Sequence, residues 1–251
     1  MKELLVIIPA YNEEENIEFV INELRQDVPY ADILVVNDCS IDNTVEVLKK
    51  LDVDYLNTPF NLGYAGVVQT GFKYAVRFDY KYVAQFDGDG QHVAKELDKM
   101  FQYSKKTDVD ILIGSRFKEK TDYNQSFFRM LGTRIFQKII KLTCKQEITD
   151  PTSGLQILNK KVYTRYAKMN GYPDYPDANL IMEMLLQGYV IEEIPVEMRE
   201  RVAGVSMHAG IWNPCKYMIK MFYSIVIKMF QYRKKRAILQ KDLMRGHGLN
   251  E

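Results

Sequence analysis

Tyr82-Val83-Ala84-Gln85-Phe86-Asp87-Gly88-Asp89-Gly90-Gln91-His92 is the stretch whose reading decides the fold. An apolar, β-favouring run stops at two carboxylates separated by one glycine. That reads as a buried strand delivering Asp87 and Asp89 to the carboxyl edge of a sheet. Open α/β sheets bind ligands at that edge. Two neighbouring carboxylates repel, so they need a cation, a shared proton or ample water. Hard oxygen ligands suit Mg²⁺ or Mn²⁺, which in turn bridges a diphosphate. Gly88 and Gly90 permit a tight turn and close approach of a ligand, and Gln91 adds a neutral oxygen. An Asp-Gly turn closing a strand fits the same residues, and on this stretch alone both readings stand.

Outward from it, the chain alternates strand and helix. Leu4-Leu5-Val6-Ile7-Ile8 is a short apolar strand ended by Pro9. Asn12 is placed to cap a helix whose acidic start, Glu13-Glu14-Glu15, suits the positive end of the helix dipole, and Ile17, Val20, Ile21 and Leu24 follow at helical spacing. Ile33–Val36 reads as a second strand, 44–51 as a helix and 53–56 as a weak third strand. A loop at 61–66 then leads into a helix through Val67, Val68, Phe72 and Ala75. Beyond the acidic stretch, 93–103 reads as helix, 109–114 as strand, 125–142 as a long helix, 177–187 as helix and 190–196 as strand. Such alternation with short links predicts an α/β fold, a mostly parallel sheet with helices on both faces.

Composition narrows the partners. The 251 residues carry 34 Lys plus Arg against 33 Asp plus Glu, a net charge of +1. No global field argues for nucleic acid. The 3 cysteines, Cys39, Cys144 and Cys215, are scattered without metal-ligand spacing, which suits a reducing compartment. The first residues enter a strand directly, without a charged leader and apolar signal core, so secretion is not expected.

The motifs Ile8-Pro9-Ala10-Tyr11-Asn12-Glu13, Val36-Asn37-Asp38-Cys39-Ser40, Asn61-Leu62-Gly63 and Asp87-Gly88-Asp89-Gly90-Gln91 appear in one order with Gly114-Ser115-Arg116, Asp150-Pro151-Thr152-Ser153-Gly154 and 201–206. Over residues 4–210 this set resembles inverting family 2 glycosyltransferases of GT-A (Rossmann-like) fold, most of all the dolichol/polyprenyl-phosphate sugar synthase branch. The resemblance implies a nucleotide-sugar pocket of Pro9, Tyr11, Glu13, Asp38, Asp87, Gly88 and Asp89. It implies a Mg²⁺ or Mn²⁺ ion held by Asp87, Asp89 and Gln91, and an acceptor phosphate held by Arg116, Arg129 and Arg201. Catalysis would fall to Asp150, Asp87 and Arg129. A tyrosine ring can pack on a base, carboxylates accept N–H and hydroxyl donors, and an arginine fork matches a phosphate. An aspartate beside a sugar hydroxyl would serve as a base, whereas a phosphate acceptor needs one less. The sequence departs from the family where paired aspartates become Asn37-Asp38, where Gly-Lys-Gly becomes Gly63-Tyr64-Ala65-Gly66, and where a lysine becomes Met207, next to His208.

The carboxyl-terminal stretch differs in kind. Lys216, Lys220, Ser224 and Lys228 recur every four residues, with Met218, Phe222, Ile225 and Met229 opposite, and Arg233-Lys234-Lys235-Arg236 follows. Its lysines argue against a transmembrane span. An apolar face followed by a basic cluster suits a helix lying on an anionic membrane surface; a core-packed terminal helix is the alternative. The expected organisation is a glycosyltransferase domain at 1–210, an amphipathic interface helix with basic cluster at 211–236, and a flexible tail at 237–251. The expected activity is sugar transfer from a nucleotide diphosphate, a UDP-sugar, to polyprenyl phosphate for cell-envelope glycans. The protein would be cytoplasmic and peripheral on the inner face of the cell membrane, with a small membrane protein or a second copy as a further partner. Transfer to a saccharide hydroxyl and a non-catalytic sugar-nucleotide-binding subunit remain open.

Overall fold

The computed structural model describes residues 2–119, 127–200, 220–230 and 232. In chain order these form β1 (Lys2–Ala10), α1 (Ile17–Asp27), β2 (Asp32–Asn37), α2 (Thr44–Leu51), β3 (Asp54–Asn57), α3 (Gly63–Arg77), β4 (Tyr80–Gln85), α4 (Ala94–Ser104), β5 (Ile111–Ser115), α5 (Phe127–Cys144), β6 (Gln156–Asn159), α6 (Lys160–Ala167), α7 (Ala178–Leu186) and β7 (Ile191–Pro195). One 7-stranded sheet runs in the order β3-β2-β1-β4-β6-β5-β7. All neighbours are parallel except β6, which is antiparallel to both β4 and β5.

β1 sits at the centre, hydrogen-bonded to β2 along one edge and to β4 along the other. Its side chains alternate between two cores. Leu5 and Ile7 face a layer built by α3, α5, α6 and α7. Leu4, Val6 and Ile8 face the layer built by α1 and α4. Fully burying each such side chain contributes about 1.5–3 kcal/mol, which is why an unbroken apolar run forms a central strand. Pro9 is tolerated because the ladder to β4 ends at Ile7 paired with Gln85, so no donor is missed there.

The chain leaves β1 towards β2 and β3 on one side and returns to place β4 on the other. That reversal opens a crevice between the carboxyl ends of β1 and β4. β6 extends the edge further. Because it runs backwards, its start at Gln156 lies opposite Gln85 of β4 and Ile113 of β5. The turn at 150–154 therefore reaches the same edge as the ends of β4 and β5.

Two local expectations are corrected. α1 begins at Ile17 after Asn16, not at Asn12. Asn12 lies in the preceding loop with a φ of 56°, and its side-chain oxygen accepts the Ile41 N–H at 2.9 Å. The apolar residues expected together on a membrane-facing stripe are also divided. Residues 220–230 are helical; Met221 and Ile225 are buried in the core, whereas Phe222, Tyr223 and Phe230 are 53%, 67% and 68% exposed. Two of the polar positions turn to the body, since Asn179 donates to Ser224 Oγ at 2.9 Å and Lys228 pairs with Glu183 at 2.5 Å, whereas Lys220 is exposed and pairs with Asp174 at the surface. Lys216, Met218 and Arg233–Arg236 lie outside the described residues.

Gly71 lets α3 lie directly on β1. A Cβ there would stand 2.5 Å from Ile7 Cγ2 and 2.7 Å from its Cδ1. Alanine would gain about 1 kcal/mol of helix propensity, but overpacking a close-fitted core costs about 1–3 kcal/mol. Gly71→Ala is expected to lower the urea midpoint without changing the slope of the transition, as read by circular dichroism.

Candidate active site

The site starts with two interlocked loops. Following β1, the Asn12 N–H donates to Ser40 Oγ at 2.9 Å, the Glu13 N–H to Thr44 Oγ1 at 2.9 Å and the Glu14 N–H to Asp42 Oδ2 at 3.1 Å. Glu14 Oε2 in return accepts both nitrogens of Asn43. Burial pushes the Asp42 carboxyl up, yet the hydroxyl and N–H of Thr44 and the N–H of Glu14 outweigh it and leave the group below the usual carboxylate range. Tyr11, at the exit of β1, is 48% exposed. Glu13 is turned to Asn16, whose amide donates to its Oε2 at 2.8 Å.

Asp38, expected to meet base or ribose, has its carboxylate hydrogen-bonded to protein donors. It is buried and accepts Leu62 N–H at 2.7 Å, Gly63 N–H at 2.9 Å and Thr58 Oγ1 at 3.1 Å. The Leu62 and Gly63 donors lie at the start of α3, where the helix dipole favours a negative group. Asp38 thus fixes the loop that carries Tyr64 into the site. Asn37, standing where the family has a second aspartate, is also buried. It accepts Ser40 Oγ and donates to Asn57 Oδ1 at 3.0 Å.

β4 ends at Gln85, and the chain turns at once. A Cβ on Gly88 would lie 3.1 Å from the Pro9 carbonyl oxygen, a tight contact, so glycine eases the close approach of the acidic loop to the end of β1. Asp87 Oδ2 lies 3.1 Å from Nε2 of the buried His92, whose ring packs edge-on against Phe86 at 5.2 Å. Asp87 Oδ1 is buried and has no hydrogen-bond partner. Burial pushes the Asp87 carboxyl up, but the hydrogen bond and field of His92 and the charge of Arg116 bring it below its usual range. Burial, and next the Asp87 charge, push the Tyr64 phenol far above its usual value. Tyr64 therefore occupies, beside Asp87, the position where a lysine was expected. Asp89 Oδ1 accepts the Gln91 N–H at 3.1 Å, and the Gln91 amide donates to the Arg199 carbonyl at 3.4 Å.

Asp150 and Arg116 meet each other. Asp150 is fully buried, and Arg116 grips it through Nε at 2.7 Å, Nη2 at 2.8 Å and its backbone N–H at 3.1 Å. Two residues expected on the acceptor side are thus joined in a two-pronged ion pair, with Nη2 also donating to Thr152 Oγ1 at 3.2 Å. Arg129 lies in the first turn of α5; Arg201 lies outside the described residues. Sequence reasoning missed His92 and Glu193. Glu193 accepts the N–H groups of Thr149 and Asp150, each at 2.7 Å, and burial raises its carboxyl above the usual range against those donors. One signal was available: Glu193 shares the inward register of β7 with Ile191.

The residues 5–166 match the family model described as Glycosyl transferase family 2. The chain belongs to that family. This glycosyltransferase is 29% identical over 217 residues to the UDP-N-acetylglucosamine--dolichyl-phosphate N-acetylglucosaminyltransferase of Methanococcus voltae, covering 78% of this chain and 85% of the relative. It is 28% identical over 217 residues to the polyprenol monophosphomannose synthase of Mycolicibacterium smegmatis, covering 82% and 81%. Its fold matches glucosyl-3-phosphoglycerate synthase of Mycobacterium tuberculosis, crystallised with Mn²⁺, UDP-glucose and phosphoglyceric acid, with a TM-score of 0.67 at 14% identity over 91% of this chain and 80% of the other. The GT-A fold is thereby established for this glycosyltransferase.

Its acidic loop fits a divalent ion of one kind. Among the described residues no group of three His, Cys, Asp or Glu side chains forms a closed metal cage. Two carboxylates suit instead an ion that completes its shell with diphosphate oxygens and water. The unsatisfied buried oxygen of Asp87 is the matching acceptor.

Gly154 guards this carboxylate, since a Cβ there would lie 2.8 Å from Asp87 Oδ2. Gly154→Ala should displace Asp87 and slow turnover on the order of 100-fold, the scale of a 1 Å misplacement. Steady-state rates beside thermal unfolding would check it: the rate should fall while the melting temperature stays near that of the parent.

Proposed function

We propose that this glycosyltransferase moves a sugar from a nucleotide diphosphate, a UDP-sugar, onto polyprenyl phosphate, with inversion at the anomeric carbon, for cell-envelope glycan synthesis. The observation that carries the choice of acceptor is the fork between Arg116 and Asp150. A saccharide hydroxyl must lose a proton to a base as it attacks. Both oxygens of Asp150 already hold Arg116 N–H groups, which suits a charge-positioning role better than proton abstraction. A phosphate acceptor arrives ionised and needs mainly cations to orient it. The named relatives, one acting on dolichyl phosphate and one making a polyprenol phosphate sugar, support the same acceptor class.

In this reading Pro9, Tyr11 and Glu13 line the nucleotide end of the crevice, and Asp38 holds the loop beside them. Asp87, Asp89 and Gln91 hold Mg²⁺ or Mn²⁺. That ion would offset the charge on the departing diphosphate. Arg116, Arg129 and Arg201 orient the acceptor phosphate in line with the anomeric carbon. Among the described residues no helix is long and apolar enough to cross a membrane. The exposed Phe222, Tyr223 and Phe230, followed in sequence by Arg233-Lys234-Lys235-Arg236, suit docking on an anionic inner leaflet.

Incubation with undecaprenyl phosphate and a panel of radiolabelled nucleotide sugars tests the reading. Label should pass into organic solvent with one donor, vanish with chelator and return with Mg²⁺ or Mn²⁺. Asp89→Asn should reduce that rate by roughly two or more orders of magnitude, at about 1.4 kcal/mol per tenfold. Label appearing only in water-soluble saccharide would refute the lipid acceptor, and an Asp89→Asn enzyme fully active in chelator would refute the metal site.

The membrane half is tested by sedimentation with vesicles. Neutralising Arg233, Lys234, Lys235 and Arg236 should remove about 1 kcal/mol of attraction per charge at low salt, with the difference fading as salt screens it. Equal binding of parent and variant to anionic vesicles at low salt would refute this electrostatic contribution.

A further inference from the structure

We infer that Glu193 is a positioning residue for the acceptor side of the reaction, fixing the Thr149-Asp150 peptide and, through Asp150, the direction in which Arg116 presents its guanidinium. The inference rests on the reading of Arg116 as an acceptor-phosphate ligand. Glu193 lies on β7, whose parallel pairing with β5 sets it opposite Ile113. From there Oε1 accepts the Asp150 N–H at 2.7 Å, while Oε2 accepts the Thr149 N–H at 2.7 Å and Thr149 Oγ1 at 2.9 Å. The Thr149 peptide is held from its other side as well, because Gln137 donates to its carbonyl at 2.6 Å.

The chemistry explains why this position carries a carboxylate. Two consecutive N–H groups converge on one side chain, so two acceptor oxygens are needed. A glutamine offers one oxygen and would aim its own N–H₂ at the second donor. Burying a carboxylate is costly unless its oxygens are fully hydrogen-bonded. Here the donors belong to the residue that grips Arg116 and to its neighbour. The path from Glu193 to the guanidinium runs through one peptide and one ion pair, each link at 2.7–2.8 Å. A shift of the 149–150 peptide therefore redirects Arg116 first; its hydrogen bonds do not run to Asp89 or to the interlocked loops of the nucleotide end, and Asp87 feels it only through the Arg116 charge.

That separation supplies the test. Glu193→Gln and Glu193→Asp are compared with the parent using undecaprenyl phosphate in detergent micelles and the nucleotide sugar that the parent turns over. Glu192→Gln, on the outward face of the same strand and bonded to Tyr103, is the control. The expected result is a rise of about tenfold or more in acceptor KM for Glu193→Gln, with donor KM within about twofold of the parent. Glu193→Asp, which keeps the charge but withdraws it by one methylene, should fall between the two, and the control should match the parent. A residue that only supports the fold would reduce the active fraction and so kcat, leaving both KM values alone. That outcome, or loss of folding in both Glu193 variants by thermal unfolding, overturns the inference. A parent that labels no lipid overturns the reading beneath it, and is judged on the parent before any variant is compared.

Discussion

Three carboxylates, Asp87, Asp150 and Glu193, converge at one edge of the sheet, and the arrangement depends on keeping that negative charge in check. Two like charges about 4 Å apart repel by about 4 kcal/mol at an effective dielectric of about 20. Each carboxylate is answered differently. Arg116 forks onto Asp150 and its charge also reaches Asp87. His92 holds one oxygen of Asp87. Glu193 is held by backbone N–H groups and a hydroxyl. The Tyr64 phenol also stands beside Asp87 and helps to hold its charge, in the acidic loop where a cation and a diphosphate suit the chemistry.

Sheet topology makes that convergence possible. In a wholly parallel sheet the segment before β6 would emerge at the opposite end of the molecule from Asp87. The reversal of β6 between β4 and β5 brings its leading turn, with Asp150 and Gly154, to the carboxyl ends of its neighbours. Gly154 then approaches Asp87 closely, and Asp150 reaches Arg116 just beyond β5. One inverted strand thus joins the loop carrying Asp87 to the Asp150–Arg116 ion pair.

The fold was legible because its signals are local. Apolar runs at 4–8, 33–36 and 82–86 stand between helical patterns, and each became a buried strand or its end. The site was legible as a set of residues but less so as a set of jobs. Motif spacing marks Asp38 and Asp150 as site residues but does not say which protein groups they hold: a helix start for Asp38 and an arginine for Asp150, both distant in sequence. No spacing rule announces that Leu62 will meet Asp38 or that Thr149 will meet Glu193. The terminal helix misled for a related reason. A stripe of lysines and serine looks solvent-facing on a wheel, yet Ser224 and Lys228 find Asn179 and Glu183 on α7.

The acidic loop and the segment leading to Arg201 form one hydrogen-bonded unit. His92 bridges Met198 as an isolated antiparallel pair. The Arg199 N–H donates to the Gln91 carbonyl at 2.8 Å, and the Gln91 amide donates back to the Arg199 carbonyl. Arg199 is itself forked onto Glu23 of α1, with its guanidinium 5.3 Å from the Phe19 ring centre. α1 also packs against β1 through Ile17 and Ile21 in the core that β1 shares with α4. The backbone that presents Asp89 and Gln91 is thus braced from behind by a helix anchored to the central strand. An ion held at this loop would be referenced to the same framework as the chain two residues before Arg201. In the proposed reaction, that bracing would hold the ion's loop in a fixed relation to α1 and β1, as positioning for a displacement at one carbon requires.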